Sequence, residues 1–411
     1  MPAPTRQLRR GHGRSTLRDV AEAAGVTSIT VSRFLREPAL VAEETAVRVR
    51  AALVQTGYVP NKQAGLLASG VSNIVAALLP NLANSIFAET AQGLSDTLQA
   101  AGHELLIAST GYSLEREEEQ LRALLGWHPA AVVVTGRRHS PGAQALLASA
   151  QQAGTPVIEI WDWQLPSERA AQRAAGSRNP FTQIGFSHDE VGRAMAQHLL
   201  DAGHRHLAYV DSGIAEDYRA HERGLGFAAR ARSAGAEVSV LVAPPGDPFN
   251  AGREMLQRLL AGPAQGSGGE HDGPGARAGS RRGRGESSGS GTGTGTGSQG
   301  SAPRPSRTAK GAGGRSAVTA AAFANDHLAS GALLEAARQR VAIPGRLALL
   351  GFGDFAWSRQ LDPALSSVAL PRYDIGVAAA QALLAARRGT PPAERALQWQ
   401  LVARASTAAR R

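Results

Sequence analysis

Short apolar runs alternate with helix-like stretches along most of the chain after about residue 72. Runs with β-branched residues, such as "SNIVAALLPN", "HELLIAST", "AAVVVTG" and "TPVIEIWD", each end in polar or turn-forming residues. Stretches whose apolar residues recur at helical spacing, such as "FAETAQGLSDTLQAAG" and "LEREEEQLRALLGW", separate them. This alternation predicts βαβ units and parallel sheets that helices cover on both faces.

The alternation runs through two successive halves. The second half includes "RHLAYVD", "AEVSVLVA", "AAAFAND" and "LALLGFGD", again with helix-like stretches between them. Two such halves predict an α/β body of two lobes, in which a ligand binds in the cleft at the carboxyl ends of the strands.

Before this body, "TLRDVAEAAGVTSITVSRFLREP" predicts two short helices that meet at a glycine. Thr16 or Ser15 can cap the first helix, and Gly25 suits the left-handed turn at its end. Thr27 is a good cap for the second helix, and Pro38 forbids its continuation. A third helix, "EETAVRVRAALVQTG", follows. The three together predict an all-α helix-turn-helix head.

The second helix of a helix-turn-helix presents its N-terminal end to base edges in the major groove. The side chains that we expect at the DNA are Thr27, Ser28, Ile29, Thr30, Ser32 and Arg33. Arg33 can make a two-pronged contact to guanine, and Ser28 and Thr30 can hold phosphates. Val31 and Leu35 are expected to face inward. The alternative is that these are the exposed residues of an ordinary helical bundle.

The basic surplus of the chain lies in two segments. The net charge is +10, residues 1–70 carry ten Arg and Lys against five acidic residues, and residues 262–316 carry eight against three. The remaining residues are balanced. A basic head beside a neutral body favours a polyanion such as DNA as partner of the head. Ordinary solvated charge is the alternative.

Residues 262–316 interrupt the second half of the body. They are rich in Gly and Ser with scattered Arg, as in "GESSGSGTGTGTGSQGSAPRPS", and cannot bury enough apolar surface to become ordered. We expect a disordered surface insertion that acts as a tolerated linker. A basic nucleic-acid tether, suggested by "RAGSRRGRG", is the alternative.

Composition excludes several classes of protein. The 411 residues are too many for one ordinary domain, and the absence of cysteine excludes disulfide scaffolds and thiolate metal sites. No apolar run is long enough for a membrane span, and "MPAPTRQLRRGHGRS" lacks the apolar core of a secretory signal. We therefore expect a cytoplasmic protein without a membrane partner.

Taken together, these segments resemble the LacI/GalR family of bacterial repressors. The resemblance rests on "LRDVAEAAGVTSITVSRFL", "GYVPNKQA", "LPNLANSIFAE", "LLDAGHRHLAYV", "AAFANDHLASGAL" and "DPALSSVALP". It extends from Thr16 to Pro371 apart from the insertion. The details "TVSRFL", "NSIFAE" and "RALLGW" look closest to the gluconate-operon repressor branch of that family.

The resemblance implies a homodimer or higher oligomer that reads operator DNA in the bacterial nucleoid. In the family, paired hinge helices fold on specific DNA, enter the minor groove and wedge a leucine between base pairs. The aligned hinge residues are Asn61, Ala64 and Leu67. Gly65 departs from the pattern and lowers helix propensity by ~1 kcal/mol. The alternative for Leu67 is packing between domains.

With the resemblance, the chain divides into four predicted parts. These are a flexible basic tail over 1–15, the helix-turn-helix domain over 16–59, a hinge helix over 60–70, and an effector-binding and dimerisation body over 71–411. The predicted body resembles periplasmic binding proteins and contains the insertion.

The resemblance also implies an effector between the lobes. The matching positions are Asn84, Ile86, Phe87, Thr135, Arg137, Arg219, Arg223, Asn325 and Asp354. Asp326, beside Asn325, is expected either to contact the effector or to cap the following helix.

One departure from the family bears on the chemistry of the effector. Sugar-binding members carry an aspartate after the last sheet strand, where this chain has Gly353 followed by Asp354. Loss of that carboxylate beside retained arginines favours an anion, because arginine binds carboxylate or phosphate with fork geometry. Gluconate or a phosphorylated sugar acid is the expected effector, and a neutral sugar or another metabolite is the alternative.

Other classes of function fit the chain less well. No nucleotide-binding glycine loop follows the first strand, and "GHRH" lacks the spacing of metal ligands, so we expect neither an enzyme nor a cofactor or metal. A sugar transport protein would not need the head, and an architectural DNA protein would not need the two lobes.

Overall fold

The protein is described here by a computed structural model, which covers residues 15–59, 72–82, 86–174, 179–261 and 317–408. The predicted tail other than Ser15, the predicted hinge helix and the 262–316 insertion lie outside these residues.

Three helices form the N-terminal head. They are α1 (Leu17–Ala24), α2 (Ser28–Arg36) and α3 (Glu43–Thr56). As predicted, Thr16 caps α1, in a capping box with Asp19, and Gly25 ends it with a φ of +64°. Thr27 caps α2 through a hydrogen bond from the Thr30 amide at 3.2 Å.

The core of the head is small and consists mainly of alanine and valine. Its buried residues are Val20, Ala21, Ala24, Val31, Phe34, Ala46, Val49 and Ala52. Val31 faces inward as predicted. Phe34, three residues later on the same face of α2, fills the deeper position, while Leu35 packs half-buried at the edge of the core.

The first lobe of the body is a six-stranded parallel sheet covered by helices, as the alternating pattern predicts. Its strand order is β11-β5-β4-β3-β1-β2. Its elements are β1 (Ile74–Leu79), α4 (Ala88–Ala100), β2 (Glu104–Ser109), α5 (Leu114–Leu125), β3 (Ala131–Thr135), α6 (Pro141–Gln152), β4 (Val157–Ile160), α7 (Pro166–Ala174), β5 (Thr182–Gly185), α12 (Arg372–Arg387) and β11 (Arg395–Ala396).

The second lobe is a four-stranded parallel sheet in the order β7-β6-β8-β9. Its elements are α8 (His188–Asp201), β6 (His206–Asp211), α9 (Tyr218–Ser233), β7 (Glu237–Val242), α10 (Pro248–Ala261), β8 (Ala320–Phe323), α11 (Asp326–Arg338) and β9 (Ala348–Leu350). An antiparallel pair, β10 (Ser367–Ala369) and β12 (Gln400–Val402), lies beside it.

The chain passes between the lobes three times. It crosses between β5 and α8, returns between β10 and α12, and crosses again between β11 and β12. The carboxyl ends of both parallel sheets therefore adjoin the connections between the lobes.

Three helix pairs pack through glycines on both partners. In each case a Cβ on the glycine would lie 2.0–2.3 Å from a carbonyl oxygen of the facing helix, so a larger residue cannot fit without moving backbone. The pairs are α4 with α12 (Gly93, Gly376), α8 with α9 (Gly192, Gly226) and α10 with α11 (Gly252, Gly331).

A buried ionic cluster lies in the first lobe around His139. Its two ring nitrogens face Glu117 Oε1 at 2.9 Å and Glu159 Oε1 at 3.3 Å. Gln183 Nε2 donates to the other oxygen of Glu159 at 2.8 Å. Burial opposes charge on the ring, but hydrogen bonds and charges of the two carboxylates outweigh it and raise the pKa of His139 to about 9.

This shift predicts a dependence of stability on pH. Because the pKa is raised on folding, the contribution of His139 is complete below about pH 6.5 and is lost as the pH rises through about 9. In urea unfolding of the full chain, His139→Gln should lower the free energy of unfolding by at most about 3 kcal/mol at pH 6, and by much less at pH 9.5. His103→Gln is the control, and equal deficits of His139→Gln at both pH values would contradict the assignment.

Candidate functional site

One surface of α2 carries four of the residues predicted to contact DNA. Ile29 is 72% exposed, Arg33 is exposed, and Ser28 and Ser32 are half-buried. Their spacing places them on one side of the helix. The guanidinium group on this side can bind guanine, and the two hydroxyls can bind base edges or phosphates. The apolar side chain can contact thymine methyl groups.

The other two predicted residues, Thr27 and Thr30, are engaged in capping α2. The hydroxyls of Thr27 and Thr30 lie 3.0 Å apart, and Thr27 Oγ1 also accepts the amide of Thr30. This pair fixes the start of α2 and hence the position of the reading side. The predicted hinge contacts Asn61, Ala64 and Leu67 lie outside the described residues.

A cavity of about 490 Å³ lies between the lobes, at the carboxyl ends of strands from both sheets. This volume includes space that is open to solvent, so the cavity is a cleft. The residues that line it are Ile86, Phe87, Tyr112, Trp161, His188, Asp217, Arg219, Arg223, Ala324, Asn325, His327, Phe352 and Phe355.

The structure brings five of the predicted effector residues to this cavity: Ile86, Phe87, Arg219, Arg223 and Asn325. The lining residues that were not predicted from the sequence are Tyr112, Trp161, His188, Asp217, Ala324, His327, Phe352 and Phe355. Each of them follows a strand of one of the parallel sheets, and this position was the available signal for them.

Two further predicted residues do not line the cavity, and Asn84 lies outside the described residues. Thr135 Oγ1 donates to the carbonyl oxygen of Leu78 at 3.0 Å, which joins neighbouring strands of the first sheet. Asp354 pairs with Arg404, with 2.6 Å between Oδ1 and Nη1. Both side chains are therefore engaged in contacts within the fold.

Arg137 does not line the cavity either, because it lies in an ion-pair network between the lobes. Its Nη1 is 2.6 Å from Asp162 Oδ1 in the first lobe, and its Nη2 is 2.6 Å from Glu222 Oε1 in the second. Tyr218 donates its hydroxyl to Asp162 at 2.5 Å and accepts the amide of Arg137 at 2.7 Å. The more exposed Arg138 also pairs with Glu222, at 2.8 Å.

The guanidinium of Arg223 is held on three sides. Nη1 donates to His188 Nδ1 at 2.9 Å, and Nη2 donates to the carbonyl oxygen of Ala324 at 2.9 Å. The ring centroid of Phe352 is 3.8 Å from Cζ. Arg223 is 4% exposed, and no carboxylate among the described residues forms an ion pair with it.

Arg219 is the second buried cation of the cavity. Its Nε lies 4.0 Å from Asp217 Oδ1, and Asp217 also caps α9 by accepting the Ala220 amide. Burial and the negative charge of Asp217 raise the pKa of Tyr112 above its ordinary value, so its phenol stays protonated. The cavity therefore contains two guanidinium groups, one carboxylate and a neutral phenol.

Both histidines of the cavity are neutral at ordinary pH. Burial, together with the charges of Arg223 and Arg219, holds the pKa of His188 well below its usual value. Burial likewise lowers the pKa of His327. The charge of the cavity is therefore set by Arg219, Arg223 and Asp217.

Asn325, and not Asp326, caps α11. Asn325 Oδ1 accepts the Leu328 amide at 3.0 Å. The prediction that Asp326 caps the helix was wrong, because its buried carboxylate accepts the hydroxyls of Ser358 at 2.7 Å and Ser367 at 2.6 Å. Asp326 thus ties α11 to the segments that follow β9. Asp326 is not among the residues that line the cavity.

Neither a metal cluster nor a membrane-spanning helix is present in the described ranges. They contain no group of three or more His, Asp or Glu side chains placed to hold a metal ion. In the same ranges, no helix is both long and apolar enough to cross a membrane.

Three segments of the sequence match known families. Residues 16–61 match bacterial regulatory proteins of the lacI family. Residues 72–263 match the periplasmic binding proteins and sugar binding domain of the LacI family, and residues 284–407 match a periplasmic binding protein-like domain.

Relatives and solved structures agree with these matches. The chain is 34% identical to the HTH-type transcriptional regulator GntR of Pseudomonas aeruginosa, over 96% of each chain. A LacI family transcriptional regulator from Silicibacter pomeroyi superposes with a TM-score of 0.74 and 29% identity, over 96% of this chain and 99% of that one.

The lac repressor dimer bound to operator and the anti-inducer ONPF has the same fold. Its TM-score is 0.70 at 18% identity, over 96% of this chain and all of that one. The chain is a DNA-binding transcriptional regulator, not an enzyme, and it belongs to the LacI family of bacterial regulatory proteins.

Proposed function

We propose that the protein is a cytoplasmic repressor of a carbohydrate-utilisation operon, and that a sugar acid, with gluconate as the preferred example, controls it from the cavity between the lobes. In this proposal a homodimer presents two copies of α2 to a near-palindromic operator. The observation that carries the choice of effector is the buried Arg223, which forms no ion pair with a carboxylate among the described residues.

The charge of the cavity supports an anion. Two guanidinium groups face one carboxylate, and a buried charge is costly unless a counter-charge and hydrogen bonds compensate it. A carboxylate of the effector would supply both to Arg223, whose two bonds to protein atoms leave N–H donors free for it.

The rest of the cavity suits a short polyhydroxylated chain. Tyr112 can donate a hydrogen bond and Asp217 can accept one, so both can pair with ligand hydroxyls. Phe87, Trp161 and Phe352 offer apolar surface to the carbon skeleton. These aromatic rings and Asp217 also favour the second candidate, a neutral sugar. Such a ligand would leave Arg223 without an ion-pair partner.

Calorimetric titration of the full chain tests the choice of effector. Gluconate should bind, 6-phosphogluconate tests whether a phosphorylated acid is preferred, and glucose should bind much more weakly than either acid. Release of an operator fragment by the same ligand, followed by fluorescence anisotropy, links binding to regulation. Glucose binding more tightly than either acid would contradict the proposal.

The reading side of α2 predicts the effect of a substitution at Arg33. With an operator selected by the wild-type protein from random DNA, Arg33→Ala should reduce discrimination against scrambled DNA by ~1–3 kcal/mol, because a bidentate base contact is lost. Arg36→Ala, at the last residue of α2, is the control. Equal loss of affinity for both DNAs would show that Arg33 contacts phosphate and does not read a base.

The anion site predicts a substitution that separates the two activities. Arg223→Gln should weaken gluconate binding at least ~10-fold, since a charged hydrogen-bond donor is removed, and should leave operator affinity intact. Arg232→Gln, at the exposed end of the same helix, is the control. Unchanged gluconate affinity in Arg223→Gln would place the anion elsewhere.

The ion-pair network between the lobes predicts an effect at a distance from the cavity. Glu222→Gln removes the carboxylate with which Arg137 forms its interlobe ion pair and favours an open arrangement, so gluconate affinity should fall ~5-fold or more. The control is Glu254→Gln, which breaks an exposed pair with Arg258 on α10. An equal effect of both substitutions would argue against the network.

A further inference from the structure

His188 connects the two lobes at the wall of the cavity. It is the first residue of α8, directly after the chain leaves the first sheet, and it is 2% exposed. Its Nε2 lies 2.9 Å from the carbonyl oxygen of Trp161, which follows β4 of the first lobe. Its Nδ1 lies 2.9 Å from Nη1 of Arg223 in the second lobe.

These two partners require one tautomer of the ring. A carbonyl oxygen only accepts, so Nε2 must carry the hydrogen, and a guanidinium only donates, so Nδ1 must present its lone pair. The charged groups that act on the ring are Arg223, Arg219 and Arg137, all cationic, and they disfavour a second proton. The neutral Nε2–H form is therefore the one that satisfies both contacts.

The contact with His188 also limits how Arg223 can turn. The ring of His188 is packed edge-on against Phe186, with 4.8 Å between centroids, so its own orientation is fixed. On the other side, Phe352 and the Ala324 carbonyl restrain the guanidinium. Without an acceptor at Nδ1, one of the two hydrogen bonds that orient the fork would be lost.

We propose that His188, as the Nε2–H tautomer, is a positioning residue that orients Arg223 toward the effector anion and ties that arginine to Trp161 of the first lobe. This inference rests on the proposed role of Arg223. His188 then couples the anion site to the contact between the lobes, because its ring forms hydrogen bonds with both Arg223 and the Trp161 carbonyl.

Two substitutions separate this role from simple packing. In His188→Asn the amide oxygen lies near the place of Nδ1 and can still accept from Arg223, but the bond to Trp161 is lost. In His188→Gln the amide nitrogen lies near the place of Nε2 and can still donate to Trp161, but Arg223 loses its acceptor. We expect the affinity for gluconate to fall within ~3-fold in the first variant and at least ~10-fold in the second.

Operator binding by both variants, measured by fluorescence anisotropy, verifies that they are folded. The result that overturns the proposal is an equal loss of gluconate affinity in the two variants, which a packing role would give. Unchanged affinity in both would overturn it as well.

A second measurement on the wild-type protein does not depend on the identity of the effector. In ¹⁵N-histidine NMR spectra, the signals of His188, assigned by their loss in His188→Asn, should show a protonated Nε2 and an unprotonated Nδ1 from pH 8 to pH 6. A charged ring or a proton on Nδ1 would overturn the positioning role. Failure of wild-type protein to bind any sugar acid, with the expected tautomer present, would instead overturn the proposed effector.

Discussion

The burial of the Arg223 guanidinium where the lobes meet is the constraint on which the organisation of the body depends. When a charged group is buried, contacts with fixed protein groups must replace the hydration that it loses. Here the partners are an aromatic ring and two acceptors, the Phe352 side chain, the Ala324 carbonyl and His188. All three belong to the second lobe, and His188 continues the contact to the Trp161 carbonyl of the first lobe, so the position of the charge is linked to the arrangement of the lobes.

Two of the polar contacts that cross from one lobe to the other differ in character. Arg137 and Arg138 with Asp162 and Glu222 form an ion-pair network in which two cations balance two carboxylates. The contact from Trp161 through His188 to Arg223 retains a net positive charge. The first can hold the lobes together without a ligand, whereas the second gains from an anion. The proposed regulation uses this difference.

The sequence predicts well whatever is decided by near neighbours along the chain. The caps at Thr16 and Thr27 and the turn at Gly25 follow from local hydrogen bonding and backbone geometry, and the βαβ alternation follows from periodicity. The helix Arg372–Arg387 was missed, since its alanine-rich sequence carries little apolar contrast and it returns to the first sheet after the whole second lobe.

Part of the site could not be read from the sequence, for a different reason. Positions 135, 137 and 354 suit an effector, but their side chains have other partners in space. The partner of Arg137 in the second lobe, Glu222, is 85 residues away, and Asp354 pairs with Arg404. A long-range polar partner has no periodic signature, so the same residue type fits a binding role and a structural one equally well.

The paired glycines make each lobe rigid. Where a bare Cα of one helix abuts a carbonyl of its partner, as Gly192 and Gly226 do between α8 and α9, sliding would drive side chains into backbone. Deformation inside a lobe therefore costs much free energy. The three connecting segments deform more easily than the lobes do. A ligand a few ångströms across can then rotate an entire lobe as a rigid unit, because little of the displacement is lost to deformation within the lobe.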